Sequence, residues 1–599
     1  MLRSILAALC LAFLAAPQAH AALELPTFGF GKDDQKPRIE VEFDGVEGPL
    51  LENVRALSSL HRLAASKDLD AEMVGRLAQR APNEVRTALR PFGYYEPEVA
   101  TALTESGDRW HVKVTIKPGT PVTLAQQQVA ITGSGKDEPF LRDVVARSPL
   151  RTGEQLSHMA YDQLKGDLLR SALGHGYLDA AFTRGELIVD PATHSARAFV
   201  TLETGERYRF GPTTIEQSAL RAGLVRRYLR YQEGDWYDAE ALLRTQFALD
   251  DSQYFAIVEV LPEQRDRKNK VTAVTITSEP NRRHVYKIAV GYGTDTGARG
   301  TLGWEDRRLN TSGHRLHAEL RASDVDTSAT LTYIVPWSDP ALEKLSYQLR
   351  VFREQNADVK TEGTTFKVGL TQVRQKWQRV LSVTLDQTED TVTTVSGGST
   401  LVDHSRTALL VPGITFARLP PDFLGVNTVP RGFQVEVLAS TDALGSDTNF
   451  TRVDVRDEHR VKLTDKWLLF LRGEIGASAV GDFQELPANY RFFAGGDNSV
   501  RGYGYEELSP VDADGNKVGG RHLLTGTVEF QRSLPKNLVG AVFMDAGNAF
   551  NKFGDPLEYS VGIGLRYKLP FLSIGLDVAQ SISESDRSPR LHINFTPEF

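Results

Sequence analysis

The residues best placed for chemistry lie late in the chain, in the segment RFFAGGDNSVRGYGYEEL that begins at Arg491. Gly495, Gly496 and Gly502 permit tight turns, so Val500, Arg501, Gly502 and Tyr503 present one arginine from a loop. Two strand-like segments follow, each with a lone acid on its polar parity: Glu529 in TGTVEFQRSL and Asp545 in AVFMDAGNAF. A planar guanidinium suits carboxylates, so charge pairing is the chemistry these residue types allow. Spacing alone leaves open an ordinary exposed loop arginine beside two unrelated acids. Bond-making chemistry finds no carrier. There is no GxSxG, Walker loop or zinc-type histidine pair, and Cys10 is the only cysteine. His314 and His317 stand three apart on a strand-like segment, where such positions face opposite sides. The expectation is no enzyme, no metal and no cofactor.

The elements that must carry this loop and its acids begin near His284. From there segments of alternating polarity are separated by Gly, Asn, Asp and Ser, and no helical period interrupts them to the end. Tyr286, Ile288, Val290 and Tyr292 share one face, as do Leu345, Tyr347, Leu349 and Val351. Tyr559, Val561, Ile563, Leu565 and Tyr567 oppose Ser560, Gly562, Gly564, Arg566 and Lys568, and Leu572, Ile574, Leu576 and Val578 oppose Ser573 and Asp577. One side suits lipid and the other water, the signature of a transmembrane antiparallel β-barrel. At about 9–11 residues per strand plus turns, the region allows roughly 14 to 18 strands. The last segment, RLHINFTPEF, places Leu591, Ile593, Phe595 and Phe599 on one parity between Pro589 and Pro597. Proline removes a ladder donor, and Gly291, Gly293 and Gly297 weaken the first strand. First and last strands should therefore pair poorly, either incidentally or as a seam.

Before the barrel the chain repeats itself. Amphipathic helical stretches run into turns centred on Tyr94, Tyr177 and Tyr254, 83 and 77 residues apart. Each turn precedes a β pair whose second strand alternates cleanly, in WHVKVTIKPG, ARAFVTLETG and NKVTAVTITSE. With an opening strand the unit reads β-α-α-β-β, in three copies. In the second copy Ser157 is a plausible N-cap, and Leu164, Leu168 and Leu169 form one apolar helix face.

Arg3, the apolar run from Ile5 to Ala16 and the site Ala19-His20-Ala21 read as a secretory signal peptide, residues 1–21. No later apolar run approaches 18 residues, so a membrane could be crossed only by a closed barrel. A net charge of −8 with no basic patch argues against nucleic acid.

The repeats and the GGDNSVRGYGY loop followed by a DAGN strand resemble the BamA/TamA superfamily, whose periplasmic modules are polypeptide-transport-associated (POTRA) domains. The resemblance implies POTRA modules over residues 37–120, 121–207 and 208–280, then a barrel over 284–599 with sixteen strands. It implies that the loop folds into the lumen and docks Arg501 on Asp545 and Glu529. It places a gate between the first strand, with Tyr286, Ile288, Val290 and Gly291, and the last, with Leu591, Ile593, Phe595 and Phe599. Three modules resemble the TamA branch. That branch implies assembly of autotransporter-type and other β-barrel clients at the outer membrane. Its partners would be a TamB-like protein anchored in the inner membrane, unfolded clients and outer-membrane lipid. A BamA-like general insertase, a two-partner secretion transporter and a passive porin are the alternatives.

Overall fold

A computed structural model describes residues 39–66, 69–106, 109–396, 399–420, 425–426, 430, 432–569, 572–584 and 586–597. The expected signal peptide, 1–21, and Phe599 lie outside these residues. The described residues form two compact bodies, one running to Ser171 with Ala180–Thr204, the other Ala172–Asp179 with Gly205 onward.

Three small three-stranded sheets come first. The first unit holds β1 (Ile39–Asp44), helices α1 (Gly48–Leu57), α2 (Ser59–Leu63) and α3 (Ala71–Leu89), then β2 (Glu98–Ser106) and β3 (Arg109–Lys117). Here the chain departs from β-α-α-β-β, because Ser58 ends α1 and its side chain caps α2 through His61 N–H. The second unit is β4 (Thr123–Thr132), α4 (Pro139–Arg147), α5 (His158–Gly174), β5 (Ala181–Asp190) and β6 (Ser195–Glu203). Ser157 Oγ accepts from Ala160 N–H at 3.2 Å, and Leu164 and Leu168 are buried. The third is β7 (Arg209–Glu216), α6 (Ala222–Arg226), α7 (Ala239–Asp251), β8 (Phe255–Pro262) and β9 (Val271–Pro280).

In each sheet the last strand lies in the middle, parallel to the opening strand and antiparallel to its hairpin partner. These central strands have one face on the helices and one in water. Val112, Val114 and Ile116 in β3, and Ala196, Ala198, Val200 and Leu202 in β6, are accordingly buried in alternation. β7 alternates poorly because its pairing slips between Phe210 and Thr213, across Gly211-Pro212. The residue before each turn tyrosine is left-handed: Gly93 at φ +86°, Gly176 at +94° and, with a side chain, Gln253 at +60°. Tyr177 and Tyr254 are buried there, and Tyr94 packs on the first unit's core.

The barrel has sixteen antiparallel strands, β10 to β25, each paired with the next in sequence. They are β10 (His284–Gly293), β11 (Gly297–Asp306), β12 (Arg315–Ala322), β13 (Asp326–Pro336), β14 (Glu343–Asn356), β15 (Val359–Arg374), β16 (Trp377–Ser396), β17 (Ser399–Arg418), β18 (Gln434–Ser440), β19 (Phe450–Lys462), β20 (Trp467–Val480), β21 (His522–Ser533), β22 (Leu538–Phe550), β23 (Glu558–Lys568), β24 (Leu572–Ser581) and β25 (Arg590–Pro597). The wall is tallest at β16 and β17, with 20 residues each, and falls to 10 in β10 and 8 in β25. Tyr286, Ile288 and Val290 stand outward, each more than 70% exposed. Outward apolar side chains at this level of exposure are the lipid face of a barrel.

The third α+β unit is fastened to the barrel's first turns. Arg230 forks onto Asp339 at 2.7 and 3.0 Å, and Arg221 N–H donates to Thr311 O at 2.9 Å. Tyr254 O–H donates to Gly313 O, with the Arg315 guanidinium 4.6 Å from its ring centroid. Ala341, from the turn between β13 and β14, lies in the unit's core with Tyr228 and Tyr254.

Candidate functional site: a lumen tongue and the barrel seam

Between β20 and β21 the chain leaves the wall for residues 481–521 and folds on itself. Isolated bridges join Phe492 to Gly520, Ala494 to Leu508 and Val511 to Lys517. The tongue so formed has its own apolar centre, in which Phe492, Val500 and Tyr503 meet Leu523 and Ala549 of the wall. Its root is tied to the tall wall, where Asp386 accepts from Tyr490 O–H at 2.7 Å and Asp390 from Ala488 N–H at 2.8 Å. Gly495, Gly496 and Gly502 hold φ of +104°, +98° and +93°, and a Cβ on Gly495 would meet Gly504 O at 2.5 Å. Only glycine serves at such a position.

These turns aim Arg501 at three strands. Its Nε and Nη2 donate to the two carboxylate oxygens of Asp545 (β22) at 2.7 and 2.9 Å. Nη1 donates to Glu529 (β21) at 2.8 Å and to Asp577 (β24) at 3.1 Å, and the backbone N–H of Arg501 also donates to Asp545. The guanidinium carbon stands 3.3 Å from the Phe543 ring centroid. Arg501 is 4% exposed, Glu529 2% and Asp545 0%. On the intervening β23, Arg566 bridges Glu529 at 3.0 Å and Asp577 at 3.2 Å. Three carboxylates thus face two guanidinium groups in a confined space, where charge-assisted bonds are strong and any unpaired member is costly. Gly562 of β23 leaves room for Phe543, because a Cβ there would strike that ring.

Glu529 and Asp545 are thus brought to Arg501 together with two groups that the sequence reading put on the polar face but did not pair, Asp577 and Arg566. They sit 76 and 65 positions from Arg501 in the chain, and only the register Asp545↔Ser560 and Gly564↔Asp577 brings them to it.

The same tongue reaches both sides of the closure. Tyr503 O–H meets Ser581 Oγ at 2.7 Å and Glu558 at 2.9 Å. Gly502 N–H donates to His592 Nε2 of β25 at 3.0 Å, while His592 Nδ1 contacts Asp497. Asp497 N–H donates to Asp295, in the turn between β10 and β11, at 2.6 Å, and Arg590 reaches Asp295 at 3.3 Å. Below this clasp the seam is sparsely paired among the described residues. There β10 makes ten register pairs with β11 and β25 makes eight with β24, yet β10 and β25 share one, Gly293↔Asn594. Thr294 N–H donates to Ile593 O at 3.1 Å, and the Arg299 side chain to Phe595 O at 2.9 Å. A Cβ on Gly291 would meet Arg299 Nε at 2.7 Å, so the glycine lets that arginine cross the seam. Of the other gate-strand residues, Tyr286, Ile288 and Val290 lie on the unpaired stretch of β10. Leu591 is exposed, and Ile593 and Phe595 are half-buried.

A closed barrel with lipid-facing strands, preceded by small α+β units, is the class of an outer-membrane barrel with a periplasmic POTRA region. Residues 309–596 match the Omp85 superfamily domain, and residues 40–118 match the POTRA domain TamA domain 1. The outer membrane protein assembly factor BamA of Nitratidesulfovibrio vulgaris is 24% identical over 371 residues, which cover 58% of this chain and 45% of that protein. The chain thus spans less than half the length of this curated relative. The crystal structure of BamA from Haemophilus ducreyi lacking POTRA domains 1-3 aligns with a TM-score of 0.63 at 15% identity, covering 80% of this chain and 99% of that one. The chain belongs to the Omp85 superfamily, the BamA/TamA group of outer-membrane barrels whose POTRA domains stand in the periplasm.

Proposed function

We propose that this chain inserts or translocates client polypeptides at the outer membrane through the β10/β25 seam. The observation that carries the reading is the single ladder pair between those strands. A barrel gains its stability in lipid by leaving no unpaired edge. Here, among the described residues, β10 before Gly293 has no ladder partner in the short β25. A client strand can pair with that stretch and then bury its apolar face in lipid, so strand pairing and lipid transfer drive the step without a nucleotide. Edge strands of the periplasmic sheets offer the same unselective grip upstream. The TamA-type match at the first module favours a translocation and assembly role, with autotransporter-type clients and a TamB-like partner engaging that module. A BamA-like general insertase or a two-partner secretion transporter would use the same seam. A passive porin is disfavoured by a tongue packed on the lumen wall.

Extending the antiparallel register places Tyr292 opposite Phe595, so Tyr292→Cys with Phe595→Cys locks the closure. The oxidised barrel is expected to lose client assembly in reconstituted vesicles by about tenfold or more, as a barrier raised by over 1.4 kcal/mol requires, and to regain it on reduction. Full-rate assembly by the oxidised form would overturn the seam reading.

A further inference from the structure

Away from the seam, the periplasmic end of the lumen holds a cavity of 1330 Å³, lined by wall residues and by Asn498 of the tongue. Its charges do not balance. Arg456 and Arg460 are matched by Glu474 and Glu458. Lys376, Arg418, Arg472 and Lys568 line the same cavity with no carboxylate within 4.0 Å among the described residues. Arg472 donates to neutral oxygens, Ser499 O at 3.3 Å and Thr527 Oγ1 at 3.2 Å. Six cations thus line the space with three carboxylates, Asp457, Glu458 and Glu474, and this excess of positive charge makes a site for an anion.

The cavity also passes through the wall. Successive residues of a strand point to opposite faces, yet lining residues come from both faces of β19, Arg456 and Arg460 toward the lumen and Asp457 and His459 outward. Among the described residues, Arg456 is the last of β19 to pair with β18, and β19 continues six residues further. A second hollow of 620 Å³ shares Asp457, His459, Arg472 and Gly473 with the first. It runs across the outer face over Gly473, Gly526 and Ala546, which are neighbours in register. Leu471, Val528 and Met544 stand as an outward ridge beside this trough. A polar, cationic chamber thus shares lining residues with a narrow apolar trough on the lipid face.

We propose that chamber and trough together hold one anionic phospholipid of the periplasmic leaflet. Its phosphate lies among Arg418, Arg472 and Lys568, and one acyl chain lies over Gly473 and Gly526. The leaflet follows from position, since Lys376 and Lys568 sit at the wall end from which β10 enters from the periplasmic units. A peptide fits the chamber's charge but not the trough, where hydrocarbon leaves its backbone unsatisfied. The site is independent of the seam.

Native mass spectrometry of the full chain in detergent, titrated with phosphatidylglycerol, phosphatidylcholine or inorganic phosphate, tests this. Gly473 and Gly526 have ordinary φ, and a Cβ on either meets nothing closer than 3.8 Å, so Gly526→Leu fills the trough without disturbing the strand. One phosphatidylglycerol is expected to be retained, and phosphatidylcholine is not. Arg418→Gln with Arg472→Gln weakens phosphatidylglycerol by about tenfold or more, equivalent to 1.4 kcal/mol, and weakens phosphate in parallel. Gly526→Leu weakens phosphatidylglycerol but leaves phosphate unchanged. Undiminished phosphatidylglycerol in either variant, equal retention of phosphatidylcholine, or displacement by an acidic peptide in the Gly526→Leu chain would overturn the proposal.

Discussion

Arg501→Ala is expected to release the tongue and abolish most client assembly. The change leaves Asp545, Glu529 and Asp577 facing one another with Arg566 as the nearest remaining counter-charge, and it uncovers the Phe543 ring. Breaking a buried pair by removing one partner costs about 3–5 kcal/mol, and here one guanidinium serves three carboxylates. The loss also reaches the seam, because Gly502 and Asp497, on either side of Arg501, bond His592 of β25 and Asp295 of the first turn. Limited proteolysis should then cut within residues 491–521 of the variant and spare them in the parent, and assembly in vesicles should fall with it. Arg501→Lys should be intermediate, since an ammonium offers one charge point where the guanidinium bonds carboxylates on three strands. A simple exchange, Arg501→Glu with Asp545→Arg, should not rescue, because Glu529 and Asp577 would still face the new carboxylate. Unchanged protection and assembly in Arg501→Ala would show that the tongue is held by its apolar centre alone.

The second large effect is expected at the joint between the third POTRA-type unit and the barrel. Gly313 has φ +75°, and a Cβ there would meet Leu224 at 2.5 Å and the Tyr254 hydroxyl at 3.0 Å. Gly313→Val therefore combines left-handed backbone strain with overpacking, each costing about 1–3 kcal/mol. It displaces the carbonyl that accepts from Tyr254 and the turn that accepts from Arg221. The third unit should part from the barrel, seen as new protease cleavage near residues 280–284, while heat-dependent gel mobility still reports a folded barrel. If clients are delivered through this joint, assembly should fall by about tenfold or more, over 1.4 kcal/mol in the governing barrier. Retained protection and full assembly would mean that the Arg230 to Asp339 fork suffices.

Much of this was legible in the sequence because strands with one wet face write their fold as alternation. β3 and β23 could be read residue by residue for that reason, whereas β7 could not, its parity broken at Gly211-Pro212. The short α2 escaped notice because it rests on one serine cap and too few residues to show a period. At the site, glycines marked the tongue's turns, and Glu529 and Asp545 stood out as lone acids. Asp577 and Arg566 carried no local mark. Their role depends on four strands lying in register, a property of pairing that no single segment records. His592 was hidden similarly: it sits between the outward Leu591 and Ile593, and only the inward tongue shows what its ring accepts. The weak closure was readable from prolines and glycines, but its upper clasp through Asp295 and Asp497 was not.

Lateral opening of the barrel is tested most directly by the distance across the seam itself. Spin labels at outward positions Ile288 in β10 and Leu591 in β25, with a control pair on the fully laddered β16 and β17, can be measured by pulsed electron resonance in vesicles. An unfolded β-barrel client is expected to broaden and lengthen the seam distance while the control distance stays fixed, and Arg501→Ala is expected to shift the seam distribution before any client is added. A seam distance as narrow and unchanging as the control, while clients are being assembled at full rate, would contradict lateral opening.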